Sequence, residues 1–383
     1  MTLVVMALPR IWRKSMVLGV AALVAGALAG FLSLHRGQAL MQAEVPEGSN
    51  MAVMVSATDA RSSRFGGIWF LARPVAIRTP SGVSGSEGGQ WLDWRGPPLI
   101  VNVPDETLVR SAIDVEVGRY VQITGSFRSS PGSIAGSTYA GTVSVSRMEP
   151  TGGDGNPLLW AGNTIRNRVL EQLQDRGPDA ALVAGFLVGA VDQLPQADID
   201  ALRLAGISHF VAVSGANVAG FLLLWFIVLG PLGVGGRRRG VLGLVAVVVF
   251  AVATRWEPSV VRASLMAGLV LAGRSIGVPI DSWTALGWSG ALALVVAPDL
   301  TQSTGFQLSV LATAGIMSGG DLLPGSYPGW LRGSLGPTLA AQAAVTPLLL
   351  SAFGSVPLVS PLSNLVAAPL VSVVTVLGGL GTL

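Results

Sequence analysis

Residues 206–220, G-I-S-H-F-V-A-V-S-G-A-N-V-A-G, set one histidine, two serines and one asparagine among small and apolar side chains. The chemistry such a set could do is nucleophilic, with Ser214 attacking and His209 as its base. Along a helix, five positions turn the two side chains about 140° apart. The A-V-S-G-A context also lacks the G-x-S-x-G elbow, so the spacing argues against catalysis. Ser214 and Asn217 then act by hydrogen bonding, toward backbone groups or partner helices. Asp192, Asp198 and Asp200 are a second cluster, and they read as helix caps and solvated turns. The chain has no cysteine, and its two histidines, His35 and His209, cannot build a multi-histidine metal centre. Thiolate zinc sites, iron–sulfur clusters and thiol nucleophiles are excluded, and no cofactor is expected.

A different chemistry is offered by Arg262, in P-S-V-V-R-A-S at 258–264, within a run that is otherwise uncharged from Pro258 to Gly273. An exposed arginine at a bilayer centre costs at least about 2.5–3.5 kcal/mol, so it must face protein or water. Two readings stand: a structural ion pair with Glu257 or a snorkelling side chain, or a cationic lining for the path of a polyanion. In T-G-F-Q-L-S-V-L-A-T-A-G at 304–315, Gln307 and Ser309 are hydrogen-bonding groups that either join helices or face a pore. Asn364, in S-P-L-S-N-L-V-A-A-P-L, has the same two readings.

The elements that position these groups are membrane helices. Charged residues make up 12% of the chain against roughly 25% in soluble proteins. From residue 204 onward only eleven side chains are charged, and none after Arg332. Met16–Leu34 is an uncharged run long enough to span a bilayer, preceded by Arg10, Arg13 and Lys14. That basic flank predicts a cytoplasmic N-terminus; a signal peptide shares it, but the run is longer than a signal peptide's apolar region and is read as a retained anchor. Gly26 and Gly30, four apart, either let another helix approach closely or are small residues without a partner.

Residues 44–150 alternate polar and apolar residues between Pro and Gly turns. They predict strands at Ala52–Ala57, Gly67–Ile77, Pro98–Val103, Arg119–Arg128 and Thr142–Arg147, with a bend at Gly125. Five strands in this length fit an oligonucleotide/oligosaccharide-binding (OB) barrel. Nine arginines against ten acids give it no basic face, and Trp69, Trp91 and Trp94 read as packing residues more than base-stacking ones.

The linker Pro150–Pro157 precedes a helix at Leu158–Gln174 that Pro178 is expected to end, and Arg166, Asn167 and Glu171 form the expected solvent face of this interfacial amphipathic helix. Ala180–Val191 is apolar but too short to span, so it is expected to be re-entrant or buried. Further spans are expected at Phe210–Gly230, Gly240–Thr254, Pro258–Gly273, Ser282–Val296 and Gly305–Gly319, with two more helices in Gly333–Leu383. Arg237–Arg239 fall on the cytoplasmic side of that order.

The motifs together resemble the ComEC-type competence protein family. The family pattern H-L-L-A-I-S-G-L-H-V is similar to His209–Val218, which includes Gly215. Its Arg-Ala pair and following Met fall on Arg262, Ala263 and Met266. Its D-P…G-F-Q-L-S element falls on Pro298, Asp299 and Gly305–Ser309, including Phe306, with the Asp-Pro order reversed. Its S-P-L-x-N-x-x-x-x-P element falls on Ser360, Pro361, Leu362, Asn364 and Pro369. Asn217 replaces a family histidine, which removes any role that needs imidazole there. Many members continue into a metallo-β-lactamase-like nuclease domain whose ligands this sequence lacks. It is therefore either a fragment or a member without its own nuclease.

The resemblance implies a polytopic α-helical membrane protein with a small extracytoplasmic all-β (OB-like barrel) domain. The expected divisions are 1–43 (tail and anchor), 44–150 (barrel), 151–203 (linker, interfacial helix and re-entrant segment) and 204–383 (competence-type membrane domain). The implied function is an inner-membrane channel for single-stranded DNA during transformation, with no catalysis of its own. Candidate path residues are Arg262, Arg203, Gln307, Ser214, Asn217 and His209. Partners would be single-stranded DNA and membrane lipid, with a DNA receptor, a nuclease and a cytoplasmic translocase supplied by other chains. A permease for a small anionic metabolite, using Arg262, is the competing expectation.

Overall fold

A computed structural model describes residues 17–32, 50–62, 68–78, 92–93, 98–104, 120–134, 137–150, 157–174, 176–191, 194–211, 215–254, 258–319 and 322–381. Ser214, Glu257, Trp91, Trp94 and the linker residues 151–156 lie outside them. The chain divides into two compact units, 31–164 and a helical unit of 1–30 with 165–383.

The first unit is a small curled sheet. Its strands are β1 (Asn50–Ser62), β2 (Ile68–Arg78), β3 (Leu92–Asp93), β4 (Leu99–Val103), β5 (Tyr120–Ile134) and β6 (Ser137–Pro150). They pair in the order β1-β5-β6-β4-β2-β3, and β1 also pairs with β2, so the ladder returns to its first strand. Every pairing is antiparallel except β4 with β6. The two-residue period buries Phe70, Val101, Ile123 and Val143 between outward-facing neighbours. The bend expected at Gly125 is present as a register shift between Thr124 and Gly125 against β6. A Cβ at Gly125 would collide with the Ser144 carbonyl, so only glycine lets the two strands approach there. Each of the five expected strands exists, and β3 is an addition that extends the edge beside β2.

The helical part of the chain begins with α1 (Val17–Leu32), α2 (Pro157–Leu173), α3 (Pro178–Val188), α4 (Gln196–Leu204), α5 (Ser208–Val211) and α6 (Gly215–Leu229). It continues with α7 (Gly236–Ala253), α8 (Pro258–Ile276), α9 (Ser282–Val296), α10 (Thr304–Ser318), α11 (Gly329–Phe353) and α12 (Ser360–Gly381). Ser259–Ile276 and Leu331–Phe353 are long and apolar enough to cross a membrane. On α12, Leu362, Val366, Leu370, Val373 and Leu377 are all exposed at helical spacing, a stripe that suits acyl chains better than water. Thus the fold fits a membrane protein.

Interior packing is carried by α6, α7 and α8 through Val218, Leu222, Val247, Phe250, Val260 and Leu271. A second cluster joins Leu294 of α9 to Phe306 and Val310 of α10, with Leu23 and Ala27 of α1 against it. The approach anticipated at Gly26 and Gly30 is made onto α9. A Cβ on Gly26 would lie 2.6 Å from the Ala291 Cα, and one on Gly30 3.3 Å from the Leu294 carbonyl oxygen. Gly19 meets Gly287 in the same seam. The pairings ascend together, so α1 and α9 run parallel.

Two expectations need correction. Arg166 does not belong to a solvated face: it is buried at 6% exposure and donates to the Val188 carbonyl, while Ile165 is exposed. The periodicity placed the arginine outside because its partner, 22 residues on, leaves no local trace. Pro178 does not terminate α2, which ends at Leu173; it opens α3, where a missing N–H costs nothing.

Candidate functional site

Arg262 lies on α8 one turn in from Pro258 and is 4% exposed. Its Nε donates to the Ser309 Oγ at 2.9 Å, and its Nη1 lies 3.9 Å from the Met266 Sδ. Across from it, a Cβ on Gly215 would stand 3.3 Å from both the Arg262 Nη2 and the Ala263 Cβ. The guanidinium is thus enclosed by the first turn of α6, its own helix and the second turn of α10. Three segments separated by about fifty residues each meet at one charge. Arginine stays protonated under any ordinary condition, so this is a fixed cation held by a neutral hydroxyl and small residues.

The 3-10 turn before α10, opened by Pro298, explains how Ser309 reaches it. Ser303 caps α10 by accepting from the Phe306 N–H at 3.2 Å. Gln307 donates from Nε2 to the Thr301 carbonyl at 2.7 Å, so it ties down the 3-10 turn Pro298–Gln302. Phe306 is buried in the core beside Leu300, and Gly305, exposed, opens the helix with no bulk. Gln307 therefore braces the element that presents Ser309.

Asn217, two residues after Gly215, is buried and donates from Nδ2 to the Phe186 carbonyl of α3 at 2.7 Å. His209 sits on the short α5 with its ring against Phe210, centroids 4.4 Å apart, and is exposed. Arg203 is on the surface of α4, paired with Asp200 at 3.2 Å. Asp198 lies in the first turn of the same helix, which starts at Gln196. The structure therefore brings Arg262, Ala263, Ser309, Met266 and Gly215 together, and places Gln307, Asn217, Arg203 and His209 at separate contacts.

The fourth motif closes a long-range link. Ser360 donates from Oγ to the Gly206 carbonyl at 3.0 Å, and the Asn364 Nδ2 lies 3.5 Å from the Ser360 Oγ. Gly206 takes φ +70°, a conformation that glycine adopts freely, and any Cβ there would meet Ser360 at 2.6 Å. The start of α12 is thereby fastened to the turn that leads into α5.

Arginines 237–239 form the first turn of α7. Arg237 donates to the Ser275 carbonyl at 3.0 Å and Arg239 to the Phe226 carbonyl at 2.9 Å. Arg239 also lies over the Phe226 ring, 5.7 Å from its centroid. Positive charge at a helix N-terminus opposes the dipole, but here it serves the C-terminal carbonyls of α6 and α8. Those two helices consequently end on one side, together with Arg274.

This helical, arginine-centred arrangement is that of a membrane domain built around its motifs, and the model of the competence protein family matches residues 186–383. That is just over half of the chain, and the chain belongs to this family. It is similar to ComE operon protein 3 of Bacillus subtilis (strain 168), 28% identical over 197 residues, which are 50% of this chain and 25% of that protein. The match thus spans about a quarter of the relative's length. No solved structure matches the chain significantly.

Proposed function

We propose that this protein is the membrane part of an inner-membrane channel that takes up single-stranded DNA during natural transformation. The observation that carries this reading is Arg262, a permanent cation kept inside an apolar bundle where three family motifs meet. The guanidinium has no carboxylate among its described partners, so its charge is not cancelled where it is held. Its hydroxyl partner Ser309 holds it without neutralising it. DNA needs cations and hydrogen-bond donors along its path, yet too many would stall transport.

Several buried polar atoms support a wet interior. The Ser264 Oγ, Gln342 Nε2, Asn364 Oδ1 and Thr375 Oγ1 are buried and no protein group satisfies them. Atoms of this kind are ordinarily met by water. The arginine block supports a multi-pass topology with a cytoplasmic N-terminus and residues 44–150 outside. In that orientation α6 and α8 run inward and deliver Arg237–Arg239 and Arg274 to the cytoplasm. For the outer unit we infer an OB-type barrel. The returning ladder, with a single parallel pair between its third and last principal strands, supports this.

The test is uptake of labelled DNA by cells carrying Arg262→Ala at matched membrane abundance. Uptake is expected to fall at least about tenfold, the effect of ~1.4 kcal/mol on a barrier. Undiminished uptake would remove Arg262 from the path, and loss of small-anion transport alone would favour a permease.

A further inference from the structure

The short helix α3 ends inside the helical unit, and its last carbonyls are all the more demanding for that. Eleven residues rise about 16 Å, roughly half the hydrocarbon thickness. Backbone closes the first part of the end. Gly189, left-handed at φ 70°, donates to the Gly185 carbonyl and Ala190 donates to that of Ala184. Two side chains from other helices serve carbonyls further along: Asn217 of α6 takes Phe186, and Arg166 of α2 takes Val188. Both side chains are more than nine-tenths buried. Val169, Ala184, Val188 and Ala190 pack around them.

Arg166 is the second buried guanidinium of the described residues, and it precedes the stretch matched by the family model. The negative end of the α3 dipole favours its charge. Asn217 carries the connection onward, because Gly215 lies in the same first turn of α6 and abuts Arg262. Gly185 adds a direct contact by packing against Val211, at the end of α5. We propose that Arg166 is a positioning residue for the Arg262 site: it fixes the buried end of α3, and α3 through Asn217 holds Gly215 against the guanidinium. This rests on the reading of Arg262 as the functional centre, but its test does not use DNA.

The absence of native cysteine makes disulfide trapping clean. A Cβ at Gly215 would stand 3.3 Å from that of Ala263, close to disulfide geometry. The full chain carrying Gly215→Cys and Ala263→Cys should therefore crosslink in membranes under mild oxidation. Adding Arg166→Met should lower the crosslinked fraction several-fold at equal abundance, and Arg166→Lys should restore much of it. A control pair, Gly315→Cys with Ala341→Cys between α10 and α11, should crosslink equally in all three backgrounds. Unchanged crosslinking at 215–263 in the Arg166→Met chain would overturn the proposal. So would equal loss at both pairs, which would mark Arg166 as a general folding residue. Either outcome leaves the uptake result for Arg262→Ala standing on its own.

Discussion

The Nε of Arg262 donates to the Oγ of Ser309 at 2.9 Å, across 47 residues of sequence. One hydroxyl thereby orients a buried cation on another helix, and it does so without cancelling the charge. A hydrogen bond to a charged group contributes about 1.5–3 kcal/mol.

Ser309→Ala should therefore lower the thermal stability of the purified protein and reduce uptake, whereas Ser309→Thr should keep most of both. Melting in detergent, with uptake at matched abundance, reads the two effects. Equal behaviour of the Ala and Thr variants would show that the hydroxyl does not hold the guanidinium.

Gly215 tests the same enclosure from the other side. A Cβ at 3.3 Å from two neighbours is tighter than ordinary contact, and larger side chains must part α6 from α8. Gly215→Val should destabilise the chain by about 1–3 kcal/mol, as overpacking does. Ala263→Gly added to it should recover part of that loss in a denaturation series.

Little of this convergence was legible in the sequence. Glu257, the nearest acid and one expected partner of Arg262, lies outside the described residues; the described partner is a serine on a helix far along the chain. Charge spacing predicts local pairs, and it carries no information on which helices meet. The same limit hid Arg166, whose helix looked amphipathic with the arginine outside. What was legible is local. Ser282–Val296 comes out with the expected bounds because Asp281 caps it, accepting from the N–H groups of Trp283 and Thr284. The break at Gly125 was visible because a glycine that interrupts strict alternation marks a bend or a close approach of strands. The motif order was legible as well, while the division of labour within motifs was not: Gln307 braces a turn, and Ser309, two residues on, meets the cation.

The link between Ser360 and Gly206 predicts an ordering of costs. Ser360→Ala loses one hydrogen bond, about 0.5–1.5 kcal/mol. Gly206→Ala must cost more, since it forces alanine to φ +70° and drives its Cβ into Ser360. Denaturation of the two variants in detergent decides the order, and a harmless Gly206→Ala would refute the close contact.

The arginine block predicts sidedness. A single Gly233→Cys, in the turn between α6 and α7, should react with a membrane-impermeant thiol reagent in inverted vesicles and not in intact spheroplasts. Labelling from the outside would reverse the orientation.

The most direct measurement traps DNA on its way through. Cells carrying Ser309→Cys, or Val295→Cys on the exposed apolar side of α9, are given single-stranded DNA with thiol-reactive groups along its backbone. A protein–DNA adduct should form at position 309 and not at 295. DNA that enters these cells without ever reacting at 309, or that reacts equally at both positions, would contradict a path beside Arg262.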